Sequence, residues 1–451
     1  MSKGGCIMKR LVSNGTLITR DLKNPLIHDG CVCMEDQQII EVGTRKALQA
    51  KYPDADWIDA KGGLIMPGFI NTHHHIYSAF ARGLAIKNHH PKNFSDILEG
   101  MWWRLDRLLT LADCRYSAYA TYLSCIRNGV TTVFDHHASY GAIEGSLFEI
   151  GQVARKLGIR TCLCYEVSDR DGQDKMRQAV KENEAFIKAA AADPSGMQRG
   201  MMGLHASFTL SDATLEYCAA HKPEGAGYHV HVAEGLEDVY DSLKKYNKRI
   251  VNRLFDRNIL GPKTLAIHCI HIDQQEMDLL KHTETMVVHN PESNMGNAVG
   301  CEPMPAIMAK GILLGLGTDG YTSDMLESYK VANLIHKHHL GDPNAAWAEV
   351  PKMLFENNAE IASRYFEKPV GKLKAGYCAD VIVCAYDPLT PMDAGNVNAH
   401  ILFGISGLSV TDTIIDGKLC MQDRQIIGVD EAKIMVQSRA QSEALWQRIN
   451  G

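Results

Sequence analysis

No stretch of this 451-residue sequence stays apolar for the ~18 residues that a membrane-spanning helix needs. The opening residues also lack an apolar run of signal-peptide length. Thirteen cysteines are present, but they are scattered, odd in number and form no repeated Cys-x-x-Cys pair. That argues against both a disulfide framework and a structural zinc knot. A basic surplus is missing as well: 47 Lys and Arg face 53 Asp and Glu, for a net charge of −6. Nothing in the charge balance points to nucleic acid or an anionic membrane surface. There is no internal repeat and no low-complexity tract. Hydrophobic residues at 45 % and charged residues at 22 % exclude whole-chain disorder. Together these absences predict a cytoplasmic protein with neither a membrane nor a nucleic-acid partner. What is in excess is histidine, 20 residues against 16 Tyr and 11 Phe. Histidine is the commonest metal ligand.

The two ends of the chain read as β structure. Leu11 to Ile18 is apolar on both sides of an Asn14-Gly15 turn signal, and 32–34 and 38–42 flank a hairpin-like Glu35-Asp36-Gln37. Near the other end, 379–385 reads as a strand and 413–420 as a hairpin on Asp416-Gly417. The middle alternates short apolar strands with helical stretches. Strands are predicted at 68–73, 130–135, 159–165, 201–206, 227–232, 264–268, 286–289 and 312–317. Helices are predicted at 110–128, 174–191, 212–220 and 236–258, with a closing helix at 431–450. Eight β-α units predict a (β/α)8 TIM barrel over 67–370. Residues 1–66 plus 371–451 are predicted to form a small composite β-sandwich domain with a C-terminal helix. The long connection 76–110, with Phe80, Trp102 and Trp103, is placed to cover the barrel mouth. The Cys-x-Cys pairs Cys31/Cys33 and Cys162/Cys164 put two thiols on one strand face and read as buried free thiols.

In such a barrel the chemistry sits at the C-terminal ends of strands. The first strand ends in Asn71-Thr72-His73-His74-His75. Alternation sends His73 and His75 inward and His74 away. The fifth ends in His229-Val230-His231-Val232-Ala233-Glu234, the sixth in His268-Cys269, and the eighth in Gly317-Thr318-Asp319-Gly320. Three imidazoles and one carboxylate (His73, His75, His231 and Asp319) can surround one ion and leave a position for water. That donor set suits Zn²⁺ or Fe²⁺ better than the oxygen-seeking Mg²⁺ or Ca²⁺. His229, one strand period from His231, reads as a supporting residue. His89, His90, His336, His338 and His339 read as solvated, and Asn290, Ser293 and Asn294 as holders of a turn.

Pro67 through His75, Arg82-Gly83, His231-Val-Ala-Glu234, His268-Cys269, His289-Asn-Pro-Glu-Ser-Asn294 and Gly317-Thr-Asp-Gly320 resemble the amidohydrolase superfamily over nearly the whole chain. The nearest likeness is to its chlorohydrolase and aminohydrolase branch, which includes guanine, 8-oxoguanine and S-adenosylhomocysteine deaminases. Lys372 through Val383 resembles that branch's C-terminal β segment. Trp102 to Asp106, Asp135 to Ser139 and Ser323 to Met325 are most similar to a bacterial aminohydrolase group tied to selenium metabolism and purine breakdown. The resemblance implies metal ligation by His73, His75, His231 and Asp319. It implies a proton shuttle at Glu234, with His268 beside the attacking water. The fourth strand, Gly203-Leu-His205-Ala-Ser-Phe208, lacks the bridging Lys or Glu of binuclear relatives, so one divalent ion is expected. His205, His136, His137, Arg82 and Trp103 are the substrate-contact candidates, with one of His136 and His137 facing the pocket. The resemblance also implies a homodimer.

Hydrolytic deamination needs a strong nucleophile at neutral pH and a way for an amine to leave. A bound divalent ion lowers the pKa of its water to ~7 and so supplies hydroxide for attack on a ring carbon. Asp319 can ligate and take the water proton. Glu234 can protonate the ring nitrogen and then the amine, general acid–base work of ~10²–10⁴-fold. The leading reading is a metal-dependent aminohydrolase that releases ammonia from a purine-like heterocycle. Hydrolytic opening of a cyclic amide or amidine, or displacement of another leaving group, uses the same residues. A binding protein with a vestigial metal site is the reading of another class.

Overall fold

The computed structural model describes residues 9–451. Five strands come first: β1 (Lys9–Ile18), β2 (Leu26–Glu35), β3 (Gln38–Thr44), β4 (Asp56–Asp59) and β5 (Leu64–Pro67). The middle of the chain carries β6 (Phe69–His74), β7 (Val130–His137), β8 (Arg160–Tyr165), β9 (Gln198–Gly200), β10 (Met202–Ala206), β11 (Tyr228–Val232), β12 (Leu265–His268), β13 (Met286–His289) and β14 (Leu314–Leu316). The last four are β15 (Val381–Cys384), β16 (Val410–Ile415), β17 (Lys418–Gln422) and β18 (Gln425–Ile426).

All eight predicted central strands form; the fourth, predicted at 201–206, is β10, and a further short strand, β9, precedes it. β6 to β9 make a four-stranded parallel sheet, and β10 to β14 a five-stranded parallel sheet, each in chain order. Single parallel bridges, Val167 to Leu204 and His74 to Asp319, join the two sheets. Nearly every strand residue is buried, as parallel sheets covered on both faces require. Alternation then sorts the side chains. Ile70, Phe134, Cys162, Cys164, Leu265, Ile267 and Val288 share one apolar cluster. Their neighbours Val133, Leu163, Ala266 and Val287 belong to another, with Tyr122, Leu123 and Ile126 of the crossover helix Leu111–Arg127. That helix starts on a reciprocal cap between Thr110 and Asp113. Cys162 and Cys164 are buried free thiols, as are Cys31 and Cys33.

Strands from both chain ends share one nine-stranded sheet, in the order β18-β17-β16-β15-β5-β1-β2-β3, with β4 on β1. The closure across the chain is the antiparallel pair β5–β15, with Met66 opposite Ile382. The β2–β3 and β16–β17 hairpins turn at Asp36 and at Asp416-Gly417, all with positive φ. Asn14-Gly15 is a correction: the pair does not turn the chain. Asn14 takes φ 62° and shifts the β1–β2 register within one continuous strand, so the signal marks a bulge. The predicted helix 236–258 is likewise two helices, Leu236–Tyr246 and Ile250–Asp256. Asn247 ends the first in the left-handed region at φ 51°.

Arg160 of β8 ties this sheet to the central strands. Fully buried, it pairs with Asp380, donates to Thr132 Oγ1 at 3.2 Å and lies 3.5 Å from Asp416. Removing one partner strands a buried charge, so Asp380→Ala should cost about 3–5 kcal/mol in urea unfolding. The double variant Arg160→Met/Asp380→Ala should recover part of that loss, because it removes the stranded guanidinium and leaves only Asp416 without its cation. The final helix, Glu431–Asn450, forms as predicted. Its Leu445 and Ile449 pack with Tyr77, Phe80 and Leu105, and Trp446 Nε1 donates to Phe80 O at 2.7 Å. The C-terminus thereby holds the 76–110 connection over the strand ends. Among the described residues no helix is long and apolar enough to cross a membrane.

Candidate metal centre and active site

The C-terminal ends of β6, β10 and β11 and the turn after β14 converge on one cavity. Its walls include His75, His205, His231, Glu234 and Asp319, with Phe94, Leu98, Trp102 and Trp103 from the covering connection. Strain concentrates here: Ala233, His268, Cys269 and Asp319 all have positive φ without being glycine. Such conformations persist only where surrounding contacts impose them.

Each imidazole is aimed by its second nitrogen. His75 Nδ1 donates to His136 O at 2.5 Å, and His231 Nδ1 to His205 O at 2.9 Å. A carbonyl can only accept, so Nδ1 carries a proton in both rings and Nε2 is the atom each turns to the centre. His73 Nδ1 lies 2.8 Å from His229 Nε2, and the buried His73 Nε2 has no hydrogen-bond partner among the described residues. The Nε2 atoms of His75 and His231 are 3.3 Å apart, and Asp319 Oδ1 is 3.1 Å from His75 and 3.7 Å from His73. Ligand atoms ~2.0–2.1 Å from a tetrahedral Zn²⁺ stand roughly 3.3 Å from one another. These residues therefore fit a small divalent ion. Burial, then the neighbouring imidazoles, push His73 and His231 well below the usual histidine range and keep them in the ligand form. Burial also opposes charge on His75, but Asp319 outweighs it and raises His75 to about 9. Burial raises Asp319, yet His75 and then His268 hold it well below the carboxylate range. This pair calls for one positive charge between its atoms, a place a cation fills.

Glu234 stands outside that set. Its Oε2 is 3.4 Å from His268 Nε2, and its Oε1 accepts from Asn297 Nδ2 at 3.3 Å. Burial raises the Glu234 carboxyl above its ordinary value, with His268 opposing. His268 Nε2 is also 3.6 Å from Asp319 Oδ2, while Asn294 Oδ1 holds its Nδ1 at 2.8 Å. Asn294 is thus more than a turn holder. It lies in the helix Pro291–Gly296 and sets the tilt of His268.

The substrate candidates separate. His205 and Trp103 line the cavity with their rings 6.0 Å apart. Neither His136 nor His137 is among the cavity's wall residues. Both are fully buried: His136 Nε2 donates to Leu204 O at 3.1 Å, and His137 pairs with Ser139 Oγ at 2.9 Å. Asp135 accepts from Ile76 N–H instead of from either ring. Arg82 borders a neighbouring cavity with His74, Ser323 and His89. His74 points away from the centre, 3.2 Å from Ser323 Oγ. His336, expected in solvent, is buried with its Nε2 3.1 Å from His289 Nε2, because its helix packs that face inward. Glu166, Tyr77, Asn297 and Tyr321 also line the active cavity. Sequence reading missed them, although Glu166 directly follows β8, where its position was a usable signal.

His229 supports His73 without touching the centre. Changing it to Ala should weaken zinc binding about 10–100-fold while leaving the fold intact. Competition against a chromogenic chelator measures that shift.

A profile of the family described as "Amidohydrolase family" matches residues 64–420. The chain is 31 % identical over 448 residues to a 5'-deoxyadenosine deaminase of Methanosarcina mazei, covering 98 % of this chain and 99 % of that one. It is 29 % identical over 444 residues to a 5-methylthioadenosine/S-adenosylhomocysteine deaminase of Syntrophomonas wolfei, covering 97 % and 99 %. A zinc-bound structure described as an adenosine deaminase, from Xanthomonas campestris, superposes with a TM-score of 0.83 at 20 % identity over 97 % and 98 % of the two chains.

Proposed function

The chain belongs to the amidohydrolase family, and from that premise we propose that it is a metal-dependent hydrolase that removes the amino group of a purine-like heterocycle as ammonia. The observation that carries this reading is the overlapping cluster of His73, His75, His231, Asp319, Glu234 and His268, of which His75, His231, Glu234 and Asp319 line one cavity. His73, His75, His231 and Asp319 would hold one divalent ion, zinc in preference to iron. Such an ion supplies Lewis acidity and a water acidic enough to act at neutral pH.

The protein's own groups account for the rest. His268, tilted by Asn294, turns Nε2 toward the space between Glu234 and Asp319, where it orients the attacking water. Asp319 accepts a proton from that water. Glu234 gives a proton to the ring nitrogen as the oxygen adds, and a proton then leaves with the amine. Water is consumed, the C–N bond to the amine breaks, and a ring C=O and ammonia result. His205 and Trp103 hold the ring, and the 76–110 connection excludes bulk water. His136, His137 and Arg82 act from behind or beside this cavity in the same reading.

The reading extends to the whole chain. The two parallel sheets, bridged at Val167–Leu204 and His74–Asp319, are taken as one closed (β/α)8 barrel over 67–370. The sheet from 1–66 and 371–451 is taken as a β-sandwich, supported by the shared core of Val12, Val32, Ile65, Val383 and Ile414. Residues 1–8 of that range lie outside the described residues. The buried free thiols support a reducing, cytoplasmic setting, and a homodimer follows from the family likeness.

The test is ammonia release by the zinc-loaded protein from guanine, 8-oxoguanine, 5'-deoxyadenosine and 5'-methylthioadenosine, read together with ring absorbance. Ammonia with the ring intact supports deamination. Loss of ring absorbance would mark ring opening, and no reaction with any of these would overturn the proposal.

A further inference from the structure

Glu166 follows β8 and is 3 % exposed, yet it forms part of the active-cavity wall. Its Oε1 accepts from Arg170 Nη2 at 3.3 Å. Arg170 is committed elsewhere: it pairs more closely with Asp106, stacks 4.1 Å from the Tyr140 ring and lies 3.7 Å from Asp171. Arg107 also serves Asp171, at 2.8 Å. Three carboxylates thus share two guanidiniums, and burial raises the Asp106 carboxyl to about 7 and the Glu166 carboxyl above its ordinary value against the pull of Arg170. The second oxygen, Oε2, makes no hydrogen bond among the described residues. The imidazole beside it, His136 Nδ1 at 3.7 Å, cannot supply one. His136 spends its proton from Nε2 on Leu204 O, so its Nδ1 carries a lone pair.

His205, on the next strand, presents the same polarity. Thr209 Oγ1 donates to Ala206 O at 3.1 Å, so it accepts from His205 Nδ1 at 2.7 Å. His205 Nε2 is then also a lone pair. The β8 and β10 side of the cavity therefore offers acceptors. The His136 ring that flanks Glu166 lies 4.6 Å from the His231 ring and 5.5 Å from the His75 ring. A heterocycle seated against the His231 and His75 rings would therefore lie beside Glu166 on the same cavity wall.

We infer that Glu166 is a specificity-determining residue that selects heterocycles carrying an N–H donor besides the leaving amine, such as the lactam N–H of an oxo-aminopurine. An N9-capped adenine ring presents only lone pairs on its remaining edges, and those would oppose Glu166 and His205. A site built to bind N–H rejects an analogue lacking it, because its own groups are left unpaired. The inference rests on the deamination reading for its context, but not for its test.

The experiment measures binding of 9-methylguanine and 9-methyladenine to full-length, zinc-loaded protein carrying Glu234→Gln, with and without Glu166→Gln. Ammonia release by the unsubstituted protein is followed in parallel. Tighter binding of 9-methylguanine is expected, with a loss of about 10–100-fold on Glu166→Gln. Binding of 9-methyladenine should change less than about twofold, with zinc content and melting temperature preserved. Should Glu166→Gln fold poorly, Glu166→Asp keeps the charge and should give an intermediate loss specific to 9-methylguanine. Equal effects on both probes, no effect on either, or no binding of 9-methylguanine would overturn the inference. A Glu166-dependent preference without ammonia from any purine would sustain it and remove the deamination reading instead.

Discussion

Glu234→Gln should lower turnover by ~10²–10⁴-fold while the protein stays folded and retains its metal. The amide keeps the shape of the carboxyl and can still meet Asn297 and His268, so packing around the cavity is preserved. What it loses is the transferable proton. Glu234 stands at 3.4 Å from His268 and clusters with His268 and Asp319, while His73 and His75 cluster with Asp319 on the other side. Its carboxyl is raised by burial, which suits a group that must hold a proton and then release it. Ammonia release and elemental analysis on the same sample check both halves. Unchanged turnover would remove Glu234 from the mechanism, and loss of metal would make it a ligand instead.

The larger effect should come from the ligand set. Chelation should abolish activity, and zinc should restore it. His231→Ala should bind less than about one-tenth of an ion per chain and lose at least ~10³-fold in turnover, without rescue by zinc. His231 is the strongest choice because its ring lies 5.3 Å from that of His75, 5.2 Å from His73 and 5.7 Å from His268. Because metal binds only the folded site, saturation at ~1,000 times the dissociation constant should add about 4 kcal/mol to unfolding. That gain should be missing in His231→Ala. A variant that keeps both metal and activity would overturn the assignment.

The positions of the eight central strands were legible in sequence because each is a short apolar run closed by polar residues, and a covered parallel sheet demands that pattern. The inward aim of His73 and His75, and the outward aim of His74, followed from alternation. Asn14 and Asn247 were less legible. Both adopt the left-handed region, but sequence cannot say whether such a residue reverses the chain, bulges a strand or breaks a helix. The flanking register decides, and register is a property of the partner strand.

The sequence by itself determined the donor types, their order at successive strand ends and the family likeness. These are local, because side-chain chemistry and period-two alternation travel with the chain. Tertiary structure alone decided which groups meet across it. Asn294 reaches His268 from 26 residues away, His229 reaches His73 from 156, and Asp319 reaches His75 from the far end of the central strands. It likewise placed Arg82 on a neighbouring cavity that shares Trp102 and Tyr321 with the active one, buried His336, and left Glu166 with an unfilled oxygen on the active wall. Such outcomes depend on how strands are registered and which helix face packs inward, and those are settled only when distant segments compete for the same space.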